Sequence, residues 1–321
     1  MPETTLPAVP SSPSAFERLP PARRAAFLLL ISSSLFAVMA SCTKFATRQF
    51  PGPEVALVRF MTGIVVTLLV VGTGRARIRP RRWGWLLTRG IFGGSAVVAY
   101  FMSIQAVPVG VATLLNQTQP IYTMLFSWAL LSERPRRGAL LALGLTLSGV
   151  VVIVGFRHLE FHGSRGELLG VFSAVASGIA VTAIRAARRG SDDGHPPETA
   201  WSVFFSFTLL GALVTLPNVF SPFGHWVAPS RAGWMLLLGV GVVSVAAQVI
   251  MTEALGHLSG VQSGIISQST VPMTIALGLA FLGERLTASF LVGAVLTLSG
   301  VVMTIWATAP MSWRRNIVPR L

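Results

Sequence analysis

Long apolar runs joined by short polar segments set the rhythm of this chain. Ten such runs can be marked, at approximately 24–46, 54–73, 83–105, 109–131, 138–155, 166–186, 199–217, 232–255, 261–282 and 288–308. Most come close to the roughly 20 residues that cross a bilayer core, and the fifth and seventh are the shortest. None alternates apolar and polar residues as a barrel strand does. A spanning segment must satisfy its own backbone, so all ten are predicted to be helices. The expected fold is an all-α polytopic membrane protein with ten transmembrane helices. Arg23-Arg24 and the run behind it, with Val38-Met39-Ala40, resemble a signal peptide. The run extends to about Ala46 and nine more follow, so an uncleaved first span is expected.

Composition strengthens this picture. The 321 residues are 52% hydrophobic and only 11% charged, against roughly 25% charged in soluble chains. The single cysteine, Cys42, permits no intrachain disulfide, and the five histidines lack metal-ligand spacing. No metal or cofactor is therefore expected. The net charge is +14, carried by 24 arginines and Lys44. A basic chain can signal nucleic acid, but these arginines sit in short joints between apolar runs, which suits membrane topology instead. The expected partners are the lipid bilayer and a small solute, with no nucleic acid.

The arginines also orient the chain. Seventeen fall on one side: Arg18, Arg23 and Arg24, the 75–82 loop, Arg134, Arg136 and Arg137, Arg185, Arg188 and Arg189, and the C-terminal segment. Five fall on the other: Arg48, Arg157, Arg165, Arg231 and Arg285. Positive charge favours the cytoplasm, so both termini are expected there, in a bacterial inner membrane. Residues 1–22, rich in Pro and Ser, read as a disordered cytoplasmic tail, and 309–321 as a C-terminal one.

The hexapeptide TLSGVV occurs twice, at Thr146–Val151 and Thr297–Val302, in the fifth and tenth runs. Glu-Arg precedes each copy at the same distance, as Glu133-Arg134 and Glu284-Arg285, within Leu131-Ser132-Glu133-Arg134 and Leu282-Gly283-Glu284-Arg285. Pro120 corresponds to Pro272, with a one-residue gap before the Glu. Helices five apart in an up-down chain point oppositely. The repeats, 23–156 and 165–308, are thus expected to be inverted five-helix units, an arrangement suited to transporters that alternate between two open states.

At these residues the sequence resembles the EamA-type bacterial members of the drug/metabolite transporter superfamily. The resemblance is carried by the proline, LxxER and TLSGVV series. It extends to Lys44 and Pro51-Gly52-Pro53-Glu54 through Arg59-Phe60, and to Arg89-Gly90, Tyr100 and Ala106. It implies a basket-like bundle with helices five and ten peripheral, and a secondary carrier, often an exporter of amino acids and other metabolites. Glu253 departs from the pattern by placing an acid where the family commonly has aromatic or apolar residues.

Polar side chains within spans are costly and mark the candidate cavity. Helix four offers Thr113, Asn116 and Thr123 near one face, with Gln117 and Gln119 beside Pro120. Pro120 frees the carbonyl one turn back, that of Asn116. Helix nine offers Ser267, Gln268 and Thr270 ahead of Pro272, and Tyr100 and Gln248 complete the set. Alternatively, the amides bond neighbouring helices and the hydroxyls bond their own backbone. Aligned on the prolines, the two polar stripes do not superpose. Lys44 and Arg59 lie near the outer face; Arg89, roughly 9 Å inside Trp83, and Glu253 lie near the inner one. Long cations can snorkel to the interface. Arg89 and Glu253 share a depth and are candidates for a gating pair, with Glu253 the candidate for proton coupling.

The expected function is secondary active export of a small polar, zwitterionic or anionic metabolite. No GxxxxGK[ST] loop is present to supply ATP drive. The alternatives are a polytopic enzyme, which would need a concentrated acid/base set, and a channel or scaffold, for which no filter segment stands out.

Overall fold

A computed structural model describes residues 19–107, 109–154, 163–189, 196–220, 226–281 and 287–307. The chain is all-helical in these residues, with no strand among them. In order, the helices are α1 (Pro21–Ala46), α2 (Gly52–Gly72), α3 (Trp83–Ala106), α4 (Val109–Asn116), α5 (Gln119–Leu131), α6 (Arg137–Val154), α7 (Arg165–Arg189), α8 (Ala200–Phe220), α9 (Arg231–Leu255), α10 (Gly260–Ser267), α11 (Thr270–Phe281) and α12 (Ala288–Ala307). Seven of them, α1, α2, α3, α7, α8, α9 and α12, are long and apolar enough to cross a membrane. The second LxxER copy, most of the N-terminal tail and the segment after Ala307 lie outside the described residues.

Each apolar run is helical, but the fourth and ninth are interrupted rather than continuous. α4 stops at Asn116, the residue whose carbonyl the Pro120 ring would meet in a continued helix. α10 stops at Ser267, one residue before the equivalent position relative to Pro272. Prolines near the start of α1, α2 and α5 sit where a helix has no need of their missing N–H. Ser259 and Gln262 form a capping box that starts α10. Ser132, in the left-handed region at φ 54°, turns the chain out of α5.

The helices pair across the two halves of the chain. α3 packs on α7, α1 on α9, α2 on α8, and α6 on α12. The α6–α12 seam is built from the repeated hexapeptide. A Cβ on Gly149 would lie 2.6 Å from the Gly293 carbonyl, and one on Gly300 would lie 2.6 Å from the Ala142 carbonyl. Gly149 also presses against Thr297, and Gly300 against Thr146. Partner numbers fall along α12 as they rise along α6, so the two helices run antiparallel. Small residues at such a crossing let two backbones approach, which drives association where lipid offers no hydrophobic gain.

Because neither glycine has room for a side chain, Gly149→Leu or Gly300→Leu is expected to destabilise the protein by about 1–3 kcal/mol through overpacking. Thermal unfolding of the purified protein in detergent measures this. An unchanged midpoint in both variants would contradict the close approach.

Candidate functional site

The two helix interruptions are built alike. At the first, the Gln117 N–H donates to the Thr113 carbonyl at 2.9 Å, and the Thr118 N–H and hydroxyl both bond the Leu115 carbonyl at 3.2 and 2.6 Å. At the second, the Gln268 N–H donates to the Ile265 carbonyl at 3.1 Å, and the Ser269 N–H and hydroxyl both bond the Ile266 carbonyl at 3.1 and 2.8 Å. The matching residues are therefore Gln117 with Gln268 and Thr118 with Ser269. Alignment on the prolines puts them out of register by one residue, which is why the polar stripes fail to superpose in the sequence. The true offset, 151 residues, also relates Thr146 to Thr297 and Glu133 to Glu284.

The interruptions also meet. The Gln268 side chain donates from Nε2 at 2.9 Å to the Gln117 carbonyl, one residue beyond the Asn116 carbonyl expected to be freed. Its Oε1 is buried without a hydrogen-bond partner among the described residues, as is the Thr123 hydroxyl. Pro120 is buried against Gly264, whose Cβ would lie 3.0 Å from the proline Cβ; Pro272 is buried too. Two other helix-four candidates bond neighbouring side chains. Asn116 Nδ2 donates to Ser173 on α7 at 2.8 Å, and Ser173 donates to the Ala96 carbonyl of α3 at 2.9 Å. Thr113 and Tyr100 share a hydroxyl contact of 3.2 Å. Gln119, Ser267 and Thr270 are half-buried, and the Thr270 carbonyl accepts from Thr274 at 2.8 Å.

A second polar cluster lies between α2, α3, α8 and α9. Arg89, only 5% exposed, donates from Nη2 to Gln248 Oε1 at 3.1 Å, with its guanidinium carbon 3.8 Å from the Phe207 ring centroid. Arg59 does not snorkel outward. Its Nε donates to Ser244 Oγ near the middle of α9, and its guanidinium carbon lies 6.0 Å from the same ring. Lys44, by contrast, is exposed at the end of α1.

The structure does not bring Arg89 and Glu253 together. Glu253 pairs instead with Arg188 Nη2 at 2.7 Å, while Gln248, more than one turn earlier on α9, takes the Arg89 guanidinium. Glu253, Arg188, Thr199, Ala200, Trp201, Val249, Ile250 and Leu28 wall a cleft of about 420 Å³.

Sequence reasoning missed the carboxylate contacts that tie the helix ends together. Glu133 accepts from Arg185 Nε at 2.8 Å and from the Gly260 N–H at 3.0 Å, tying the end of α5 to α7 and to the start of α10. Arg185 Nη1 reaches the Leu255 and Gly256 carbonyls at 3.1 and 3.2 Å, a favourable position for a cation beside a helix C-terminus. Glu198 accepts from the Arg81 and Arg82 N–H groups at 2.6 and 2.7 Å. The signal available was Glu133 itself, which stands in the repeated LxxER series.

The sequence pattern of the EamA-like transporter family matches the chain twice, at residues 23–155 and 164–306. The chain is similar to the pseudopaline exporter CntI of Pseudomonas aeruginosa, 29% identical over 271 residues that cover 84% of this chain and 91% of that one. It is also similar to a riboflavin transporter of Vibrio cholerae, 24% identical over 300 residues, 91% and 96% of the two chains. Human solute carrier family 35 member G1 is 25% identical over 258 residues, 76% of this chain and 68% of its own. A solved crystal structure with 20% identity has the same fold, at a TM-score of 0.71 over 89% of this chain and 96% of its own.

Arg185 and Glu133 have side chains only 6% and 12% exposed, so each offsets part of the other's desolvation cost. Arg185→Ala is expected to cost about 3 kcal/mol. Replacing both residues with Met is expected to restore most of it. A double-mutant cycle read by thermal unfolding checks this, and additive losses would contradict the coupling.

Proposed function

The chain belongs to the EamA-like transporter family, whose members are transporters rather than enzymes, and from that premise we propose that it is a secondary active exporter of small metabolites such as amino acids, working by alternating access. It is a multi-pass membrane protein, consistent with a bacterial inner membrane. In this reading, α6 and the two interrupted pairs, α4–α5 and α10–α11, add three crossings to the seven long helices. Two five-helix halves, 23–156 and 165–308, are then related by a pseudo-twofold axis in the membrane plane, with both termini cytoplasmic. The preponderance of arginine on that side supports the orientation.

The observation that carries the proposal is the set of contacts between residues 151 apart. Gln268 bonds the Gln117 carbonyl, and the Thr297 hydroxyl approaches the Thr146 carbonyl at 3.5 Å. Residues related by a twofold touch one another only on or near its axis. Reciprocal contacts support the same symmetry, since Gly149 meets Gly293 and Gly300 meets Ala142, again pairs of equivalents. A carrier needs two such halves to present one site to alternate sides. The pseudopaline exporter among the relatives supports export of an organic metabolite.

The interruption crossing is the proposed moving contact at the substrate path. Its buried, incompletely bonded Gln268 is the group with polar capacity to spare. The Arg188–Glu253 pair in the cleft wall acts as an inner gate, and proton coupling through Glu253 would require this pair to part in one state.

In liposomes containing the purified protein, a panel of radiolabelled metabolites is expected to include one that is transported, with Gln268→Leu lowering its rate about tenfold or more and leaving membrane insertion intact. Asn116→Ala is expected instead to lower stability by about 1 kcal/mol, because its amide is committed to Ser173. Transport of no metabolite, with or without a pH gradient, would overturn the carrier reading.

A further inference from the structure

Arg59 and Arg89 form a pair of cations with no counter-ion among the described residues. Their partners are neutral: Ser244 for Arg59, Gln248 for Arg89, and the faces of Phe60 and Phe207. Ser244 and Gln248 are one turn, roughly 6 Å, apart on α9, so the two guanidinium groups meet the same stretch of that helix. The five described carboxylates are engaged elsewhere. Glu54 accepts from the Val227 N–H, Glu167 from the Ser164 N–H, Glu198 from Arg81 and Arg82, Glu133 pairs with Arg185, and Glu253 with Arg188.

This arrangement is expensive by itself. Two like charges inside a low-dielectric bundle repel and lose hydration, and a guanidinium does not escape by deprotonating. Arg89 Nε is also buried with no hydrogen-bond partner among the described residues. The surroundings are nevertheless shaped to hold the cation. A Cβ on Gly93 would collide with Arg89 Nη1 and lie 3.0 Å from the Phe207 ring, so only glycine leaves a seat there. Cation–π contact with Phe207 offsets part of the desolvation. A site that keeps two unneutralised cations in place is prepared for an anion that arrives from outside.

The cleft is walled in part by α8 and α9, two of the helices that hold this pair. Trp201 in its wall meets Phe204 edge to face at 6.3 Å, and Phe204 shares one apolar cluster with Phe60 and Phe207. Phe207 stands roughly 9 Å along α8 from Trp201. Val249 and Ile250, also in the cleft wall, directly follow Gln248. The cleft's apolar lining suits the carbon body of an organic solute better than inorganic phosphate.

We propose that Arg59 and Arg89, set about Phe207 and braced by Ser244 and Gln248, bind the carboxylate of an organic anion, and that carboxylate-bearing metabolites are therefore the substrate class. This rests on the carrier reading above. The carboxylate accepts from the free Arg89 Nε and from the Arg59 guanidinium, and its carbon body lies towards the aromatic side chains of α8.

The test is thermal unfolding of the full-length protein in detergent with benzoate, succinate and glutamate, each against its amide (benzamide, succinamide, glutamine), and with inorganic phosphate. At least one carboxylate is expected to raise the midpoint where its amide and phosphate do not. Arg89→Gln is expected to weaken that binding by roughly thirtyfold or more. Its ligand-free midpoint is expected to be unchanged or higher, since an uncompensated cation has been removed. Stabilisation by phosphate alone, equal stabilisation by acid and amide, or no stabilisation by any carboxylate of the wild-type protein would overturn the proposal. So would an Arg89→Gln variant that melts lower yet still responds to the carboxylate, which would make Arg89 a packing residue. These readouts do not depend on transport, so their failure removes the anion site alone, whereas absence of all transport removes the carrier reading.

Discussion

A carbonyl released from its helix inside a bilayer finds no water to turn to, so another part of the protein must answer it. That requirement organises the centre of this molecule. Pro120 and Pro272 end two helices within the bundle, and each break is closed in part by its own hydroxyl, Thr118 or Ser269. The remaining demand is met across the halves, by Gln268 on the Gln117 carbonyl. Interruptions of this kind are tolerated only where protein surrounds them, and they bring polar groups to the interior without a charged side chain.

Much of the fold was legible in the sequence because periodicity and length report directly on helices that must satisfy themselves. The apolar runs appear as helices among the described residues, the two prolines sit at helix breaks, and the paired hexapeptides form one seam. The candidate site was less legible. A proline marks that a helix breaks but not which flanking residue occupies the break, so alignment on Pro120 and Pro272 shifted Gln117 away from its equivalent by one position. Shared depth made Arg89 and Glu253 plausible partners, but pairing depends on helix rotation, which spacing does not encode. On α9, Gln248 faces α3, and Glu253, more than a turn further on, faces α7. Asn116 bonds Ser173 on α7, a partner that spacing along one helix does not reveal.

The arginines of the joints carry two kinds of information at once. As a count they support the proposed cytoplasmic side. As individuals, Arg185 and Arg188 hold the ends of α5 and α9 and the start of α10 through Glu133, Glu253 and backbone carbonyls. A tally of charges by loop sees the first role and is blind to the second, since the bonds join residues 52 to 127 positions apart.

The seam between α6 and α12 has a mechanical meaning. Its glycines leave no gap for sliding, and its antiparallel hexapeptides lock tooth against tooth at Gly149 with Thr297 and Gly300 with Thr146. For a carrier whose halves rock, such a seam is the fulcrum. In the rocking motion proposed above, displacement is smallest at this seam and grows with distance from it.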